Sequence, residues 1–200
     1  MTSGAVSSHP PNIEPALKAL ADALHGEGPA VELSAGADGN VVVTAVDTPG
    51  YEDAAVVVRT SGSTGTPKAT VLTVDALAAS SVATAFALKG EGQWLLALPV
   101  QYVAGVQVLV RSLFAGTRPW AMDMSNGFTP EAFTAAALEL TDKIRFTSLV
   151  PTQLQRLLDS PSAETLAVLR RFNAILLGGG PASPGLLAAA RDAGARVITT

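Results

Sequence analysis

The alternation of short apolar runs with longer helical stretches is the feature of this sequence that most limits its fold. From residue 54 onward, each short apolar run is followed by a stretch with helical spacing. Buried parallel strands joined by crossover helices produce this pattern. We therefore predict an α/β fold, a layered sheet with flanking helices. The predicted strands are 54–59, 93–98, 117–121, 145–150, 173–178 and 195–199, and the predicted helices are 73–89, 103–115, 129–141, 151–159 and 183–193.

The first 50 residues follow a different pattern. Four apolar residues recur there at helical spacing, namely Ile13, Leu17, Leu20 and Leu24. Gly26 ends this predicted helix, and two β-rich segments follow at 30–35 and 40–46, separated by turn-forming residues. These segments predict a hairpin or edge strands. We accordingly divide the chain into residues 1–50, with a helix and short strands, and residues 51–200, an α/β subdomain.

Composition excludes several functional classes. The net charge of -4 and the pI near 5.1 indicate no basic surface for nucleic acid. The chain has no Cys, which excludes disulfides and thiolate metal sites and is typical of a reducing compartment, so we expect a cytoplasmic protein. No signal peptide and no run of about 18 apolar residues is present, so we expect no membrane span. The sequence leaves open whether two copies form a homodimer.

The segment RTSGSTGTPK at residues 59–68 is the main candidate for a ligand site. Glycines let a backbone approach a ligand closely, and exposed amides in such a loop form an anion-binding concavity. Lys68 adds a positive charge at the end of the segment. The phosphate loop of nucleotide triphosphatases does not fit, because Ala69 replaces the required hydroxyl. A polar turn that joins two strands is the alternative interpretation.

The string TSGSTGTPK, placed after an apolar strand, closely resembles the signature of the adenylate-forming superfamily, which includes the acyl-CoA synthetases. The resemblance implies the N-terminal, large-domain portion of such an enzyme, with ATP and Mg²⁺ bound and the metal ligands unidentified. It assigns Thr64 and Lys68 to catalysis. The ATP contacts that it implies are Thr60, Ser61, Gly62, Ser63, Thr64, Gly65 and Lys68. Ala69 stands where the family usually has Gly, at a cost of about 1 kcal/mol if that position has a positive φ.

A second family landmark lines the pocket for the carboxylic acid. It corresponds here to LPVQYVAG at residues 98–105. The resemblance places Tyr102 where the family often has His, and implies that Gly105 makes room for the acyl group. The alternative is that Pro99 ends a strand and Tyr102 begins a helix, without any contact to a ligand.

Residues 102–116, YVAGVQVLVRSLFAG, resemble the branch of the family that activates the dicarboxylate o-succinylbenzoate in menaquinone biosynthesis. Gln107 and Arg111 are spaced i and i+4, so they lie on one side of a helix. An Arg binds a carboxylate through two parallel hydrogen bonds and keeps its charge when partly buried. Both residues are therefore candidates for substrate binding, with Arg111 on the second carboxylate. A polar stripe that faces solvent is the alternative.

Three consecutive glycines lie at the end of the predicted strand 173–178. Gly178, Gly179 and Gly180 permit a flat ring to approach the backbone. In the adenylate-forming enzymes this turn lies against adenine and the acyl substrate, so the resemblance implies the same role here.

The reaction implied by the resemblance joins a carboxylic acid to ATP as an acyl-adenylate and then transfers the acyl group to CoA. The small-molecule partners are thus a carboxylate, ATP and CoA. The family signature expected after the last predicted strand is absent at residue 200. We expect this chain to be an incomplete subdomain that is inactive alone. Another acyl- or aryl-CoA ligase, an adenylating enzyme that serves a carrier protein, and a noncatalytic nucleotide-binding module are the alternatives.

Overall fold

A computed structural model describes residues 10–36, 39–60 and 68–200, with the side chain of Thr60 excepted. The helices are α1 (Glu14–Leu24), α2 (Val74–Leu88), α3 (Val103–Phe114), α4 (Pro130–Leu138), α5 (Pro151–Leu158), α6 (Ala163–Arg171) and α7 (Pro184–Asp192). The strands are β1 (Ala30–Ala35), β2 (Val41–Val46), β3 (Ala54–Thr60), β4 (Lys68–Thr73), β5 (Gln93–Leu96), β6 (Trp120–Ala121), β7 (Arg145–Leu149), β8 (Ala174–Leu177) and β9 (Val197–Thr199).

The first sheet has four strands in the order β2, β1, β3, β4. The predicted hairpin is confirmed, since β1 and β2 pair antiparallel from Ala30 with Val46 to Ala35 with Val41. The prediction that strand 54–59 joins the later parallel strands was wrong. This segment, β3, pairs parallel with β1 and antiparallel with β4, a strand that the sequence analysis missed. Strands from both sides of residue 50 therefore share this sheet.

The second sheet contains the predicted parallel strands in the order β6, β5, β7, β8, β9. All four neighbouring pairs in it are parallel. The strand predicted at 117–121 is reduced to Trp120 and Ala121. Pro119 has no N–H to donate to a neighbouring strand, and the Arg118 carbonyl accepts the Gln93 side-chain amide at 2.9 Å instead.

Two apolar cores lie on opposite faces of the parallel sheet, because successive side chains of a strand point in opposite directions. Trp94 and Leu96 of β5 contribute to the core that faces α1, α3 and the first sheet. Leu95, between them, contributes to the core under α4, α5, α6 and α7. The result is the layered α/β arrangement that the sequence predicts, with helix α3 between the two sheets.

The helices follow the sequence pattern closely, apart from α6. Helix α2 begins where the Thr73 side chain accepts a hydrogen bond from the Ala76 amide, and it ends at Lys89 in the left-handed conformation. Helix α6 was not predicted, although the Ser162 side chain caps it. Across the described part of the chain, no helix combines the length and the apolar character needed to cross a bilayer.

Candidate functional site

The carboxyl ends of the parallel strands meet at one edge of the second sheet, where open α/β sheets bind their ligands. Strand β8 leads there directly into Gly178, whose amide donates to the Leu149 carbonyl at the end of β7 (3.1 Å). The Thr200 amide donates to the Leu177 carbonyl at 3.0 Å, so the residue after β9 lies beside the same glycines. This edge therefore contains both the predicted glycine turn after β8 and residues 98–102 after β5, with β7 between the two strands.

The three glycines of this turn differ in whether a side chain would fit at their positions. A Cβ on Gly178 would lie 2.6 Å from the Thr200 hydroxyl, and one on Gly179 would lie 3.0 Å from Val150 Cγ1. Gly179 also has a φ of +79°, which strains any residue with a side chain. Gly180 has open space around the position of a Cβ. Packing and backbone conformation thus explain the glycines at 178 and 179. Gly180 instead leaves open space at this edge.

Close packing also explains why residue 105 is a glycine. A Cβ at this position would lie 2.2 Å from the Pro99 carbonyl oxygen, so the first turn of α3 packs directly on the backbone after β5. Tyr102 immediately precedes α3 and is 54% exposed, and its carbonyl accepts the amides of Gly105 and Val106. Tyr102 does begin helix α3, as the structural alternative expects, whereas Pro99 lies three residues after the end of β5. A contact of Tyr102 or Gly105 with an acyl group stays a prediction.

The ends of the candidate phosphate loop lie opposite each other in the first sheet. Thr60 of β3 pairs with Lys68 of β4, and Arg59 pairs with Ala69. Ala69 has no positive φ, so the expected backbone cost at this position does not arise. The predicted ATP contacts between these strands lie outside the described residues, namely Ser61, Gly62, Ser63, Thr64 and Gly65.

The two cations that flank the loop have different surroundings. The Arg59 Nε donates to both carboxylate oxygens of Glu32 at 2.9 Å, so this charge is compensated within the sheet. Lys68 is exposed at the start of β4. A contact of Lys68 with a phosphate stays a prediction.

Gln107 is buried and Arg111 is partly buried, so the two residues do not form a fully exposed polar stripe. Helix α3 packs on β5 and against α2, and Gln107 is only 8% exposed. The Gln107 Oε1 and Arg111 Nε atoms are buried, and neither has a hydrogen-bond partner in the described ranges. Buried polar atoms nearly always have partners, so this pair indicates a place for a ligand group.

Arg111 carries a charge that the described residues leave uncompensated. Its guanidinium lies over the ring of Trp94, with Cζ 5.3 Å from the ring centroid. Burial lowers the pKa of Arg111 to about 10. No ion pair with a described carboxylate offsets this burial. A cation in such surroundings favours an anionic ligand, because an uncompensated buried charge is costly.

Two cavities adjoin these elements. One of about 100 Å³ lies between α2 and α3, with Trp94, Arg111 and Phe146 in its wall. The other, of about 330 Å³, lies beyond the ends of β5 and β6 and is mainly apolar, with Gln101 and Ser125 in its wall. The sequence analysis missed Trp94, since a Trp in a buried strand gives no sign of the side chain that it faces. No cluster of three potential His, Asp or Glu metal ligands occurs in the described part of the chain.

Comparisons with known proteins agree with this architecture. The family model described as AMP-binding enzyme matches residues 7–200. A protein of Mycobacterium tuberculosis described as a probable 2-succinylbenzoate–CoA ligase is 45% identical over 149 residues, which cover 74% of this chain and 38% of the relative. This chain thus spans well under half the length of that relative.

The chain is also similar to solved structures of an o-succinylbenzoate CoA synthetase. The o-succinylbenzoate CoA synthetase of Bacillus subtilis in complex with its acyl-adenylate intermediate has a TM-score of 0.61 and 29% identity, covering 72% of this chain and 28% of that chain. A structure of the same synthetase with ATP and a magnesium ion has a TM-score of 0.61 and 27% identity, covering 77% of this chain and 32% of that chain.

Proposed function

Because this chain belongs to the family of AMP-binding enzymes, we propose that it forms the ATP- and acyl-binding part of an acid–thiol ligase that acts on o-succinylbenzoate in menaquinone biosynthesis. One carboxylate of the acid attacks the α-phosphorus of MgATP and expels pyrophosphate, which gives an acyl-adenylate. The thiol of CoA then attacks the acyl carbon and releases AMP. Similarity to a probable 2-succinylbenzoate–CoA ligase supports this choice of substrate.

The difficulty of the first step is that two anions must meet. Fixed amide dipoles and a cation can offset the charge on the leaving pyrophosphate, and orientation lowers the remaining barrier. In this proposal the phosphates lie on Thr60 and residues 61–65, and Thr64 and Lys68 contact the groups that leave. Adenine lies along Gly178, Gly179 and Gly180, and the reacting carboxylate lies near Tyr102 and Gly105.

The uncompensated charge of Arg111 is the observation on which the choice of a dicarboxylate rests. An ordinary aromatic acid would use its one carboxylate in the reaction and leave Arg111 without a partner. The α-carbons of Tyr102 and Arg111 lie about 13 Å apart along α3, from the rise per residue of a helix. The two carboxylates of o-succinylbenzoate, joined through the ring and the succinyl arm, span only part of that distance, and in this proposal the Arg111 side chain spans the rest.

The acid dependence of ATP–pyrophosphate exchange tests this proposal in the full-length protein that contains this chain. We expect exchange with o-succinylbenzoate and much weaker exchange with benzoate or a fatty acid. Equal exchange with all three acids would favour a general acyl- or aryl-CoA ligase. Binding of ATP without exchange for any acid would favour the noncatalytic nucleotide-binding module.

We propose a cytoplasmic location for this activity, where ATP and CoA are both available and where a chain without Cys is common. A homodimer stays a prediction, which sedimentation of the purified protein would decide.

A further inference from the structure

We propose that Trp94 is a positioning residue, whose ring holds the Arg111 guanidinium in place for the second carboxylate of the substrate. This inference rests on the proposed function. It explains how the guanidinium of Arg111 is held in position while its hydrogen-bond donors stay available for a ligand, since no described carboxylate pairs with it.

The contact itself has the geometry of a cation–π interaction. Arg111 Cζ lies 5.3 Å from the centroid of the Trp94 ring, within the distance at which a ring face attracts a cation. Trp94 is 3% exposed, so the contact lies largely away from water. The ring of Phe146, on the neighbouring strand β7, packs on Trp94 with centroids 5.2 Å apart and planes tilted by 45°. The indole is therefore fixed by the sheet.

An aromatic face suits this role better than an acidic side chain would. A carboxylate at the position of Trp94 would neutralise Arg111 and occupy the hydrogen-bond donors that a substrate needs. A ring face attracts the guanidinium but accepts none of its in-plane N–H groups. Arg111 Nε has no hydrogen-bond partner in the described residues, which agrees with donors kept in reserve.

The side chains around the 100 Å³ cavity do not compete for Arg111. Ser81 and Thr84 of α2 also line it, and their hydroxyls donate to the carbonyls of Leu77 and Ser80 at 2.9 and 2.8 Å. Glu91 is exposed and forms no ion pair with Arg111. The cavity has room for a carboxylate group beside Arg111.

Kinetics of the full-length protein test the proposal. Trp94→Leu should raise the KM for o-succinylbenzoate about tenfold, the effect of a largely desolvated cation–π contact, and Trp94→Phe should raise it only about threefold. The KM values for ATP and benzoate should change less than about twofold, since neither needs Arg111. Trp120→Leu makes the same chemical change in β6 and should leave all three KM values unchanged.

A double-mutant cycle separates positioning from packing. In an Arg111→Met background, Trp94→Leu should produce no further increase in the KM for o-succinylbenzoate. A further tenfold increase in that background would overturn the proposal, as would an equal loss with every acid in the wild-type background. If the aromatic face holds Arg111, the increase in the KM for o-succinylbenzoate should be smaller with Trp94→Phe than with Trp94→Leu.

A readout without turnover keeps this inference distinct from the proposed function. Replacing Trp120 and every tryptophan outside residues 1–200 with Phe leaves Trp94 as the sole tryptophan, because residues 1–200 contain two. Adding Arg111→Met should then shift the fluorescence of Trp94, and unchanged emission would refute the contact. Absence of exchange with any acid would instead refute the proposed function, whatever the fluorescence shows.

Discussion

Replacing Arg111 with Met should make the unliganded protein more stable and weaken its binding of o-succinylbenzoate. Burial lowers the pKa of Arg111 from its ordinary value to about 10. Since one pKa unit corresponds to about 1.4 kcal/mol, the buried charge costs about 3 kcal/mol at neutral pH. Loss of the contact with Trp94 offsets about 1 to 2 kcal/mol of this, which leaves a net gain of about 1 to 2 kcal/mol. Met is a suitable replacement because its unbranched side chain adapts to the space beside the ring.

Urea unfolding followed by circular dichroism measures this gain. Arg191→Met is the matched control, because Arg191 also lies in the last turn of its helix but is 80% exposed in its side chain. Both substitutions remove a cation from the last turn of a helix, so the lost interaction with the helix dipole is similar. The contact of Arg191 with Asp192, at 3.9 Å, is exposed and contributes little. A variant less stable than this control would refute the reasoning, since it would mean that the charge of Arg111 is compensated.

The pH dependence provides a second check of the same reasoning. The folded-state pKa of Arg111 lies below its unfolded value, so the cost of the charge is fully present below pH 10. Above that pH the folded protein releases the proton first, and the cost declines. The advantage of Arg111→Met should therefore be constant from pH 7 to 9 and shrink above pH 10.

Two further predictions concern the loop and the glycines. Lys68→Ala should abolish most ATP–pyrophosphate exchange and leave the circular dichroism spectrum unchanged. Lys143→Ala, at an exposed position, is the control and should have no effect on either measurement. Normal exchange with Lys68→Ala would contradict the proposed role of the loop. Gly105→Ala should lower the free energy of unfolding by about 2 kcal/mol or more, because its Cβ would overlap the Pro99 carbonyl. Gly180→Ala should leave stability unchanged within about 0.5 kcal/mol and weaken ATP binding; unchanged binding in calorimetry would place adenine elsewhere.

The parallel sheet could be predicted because its strands are buried on both faces and have continuous apolar runs, as in Gln93–Leu96 and Ala174–Leu177. Strand β4 gave a weaker signal, since Lys68–Thr73 is exposed or partly buried and follows a loop much longer than a tight hairpin turn. Helix α6 had recognisable end signals, with Ser162 before it and Arg170 and Arg171 in its last turn, and the analysis overlooked them.

The candidate site was predictable in its chemistry but only partly in its surroundings. The sequence indicated Gln107 and Arg111 as a polar pair on one side of α3. Whether that side faces water or a cavity depends on how α2 and the parallel sheet pack around it, which local sequence does not determine. Trp94, 17 positions before Arg111, meets its guanidinium only through that packing.

A crystal structure of the full-length protein with MgATP tests the central claim most directly. We predict that oxygens of the β- and γ-phosphates lie about 2.7 to 3.2 Å from backbone nitrogens of residues 61–65 and from Lys68 Nζ. Phosphates bound elsewhere on the protein, with no contact to this loop, would contradict the account.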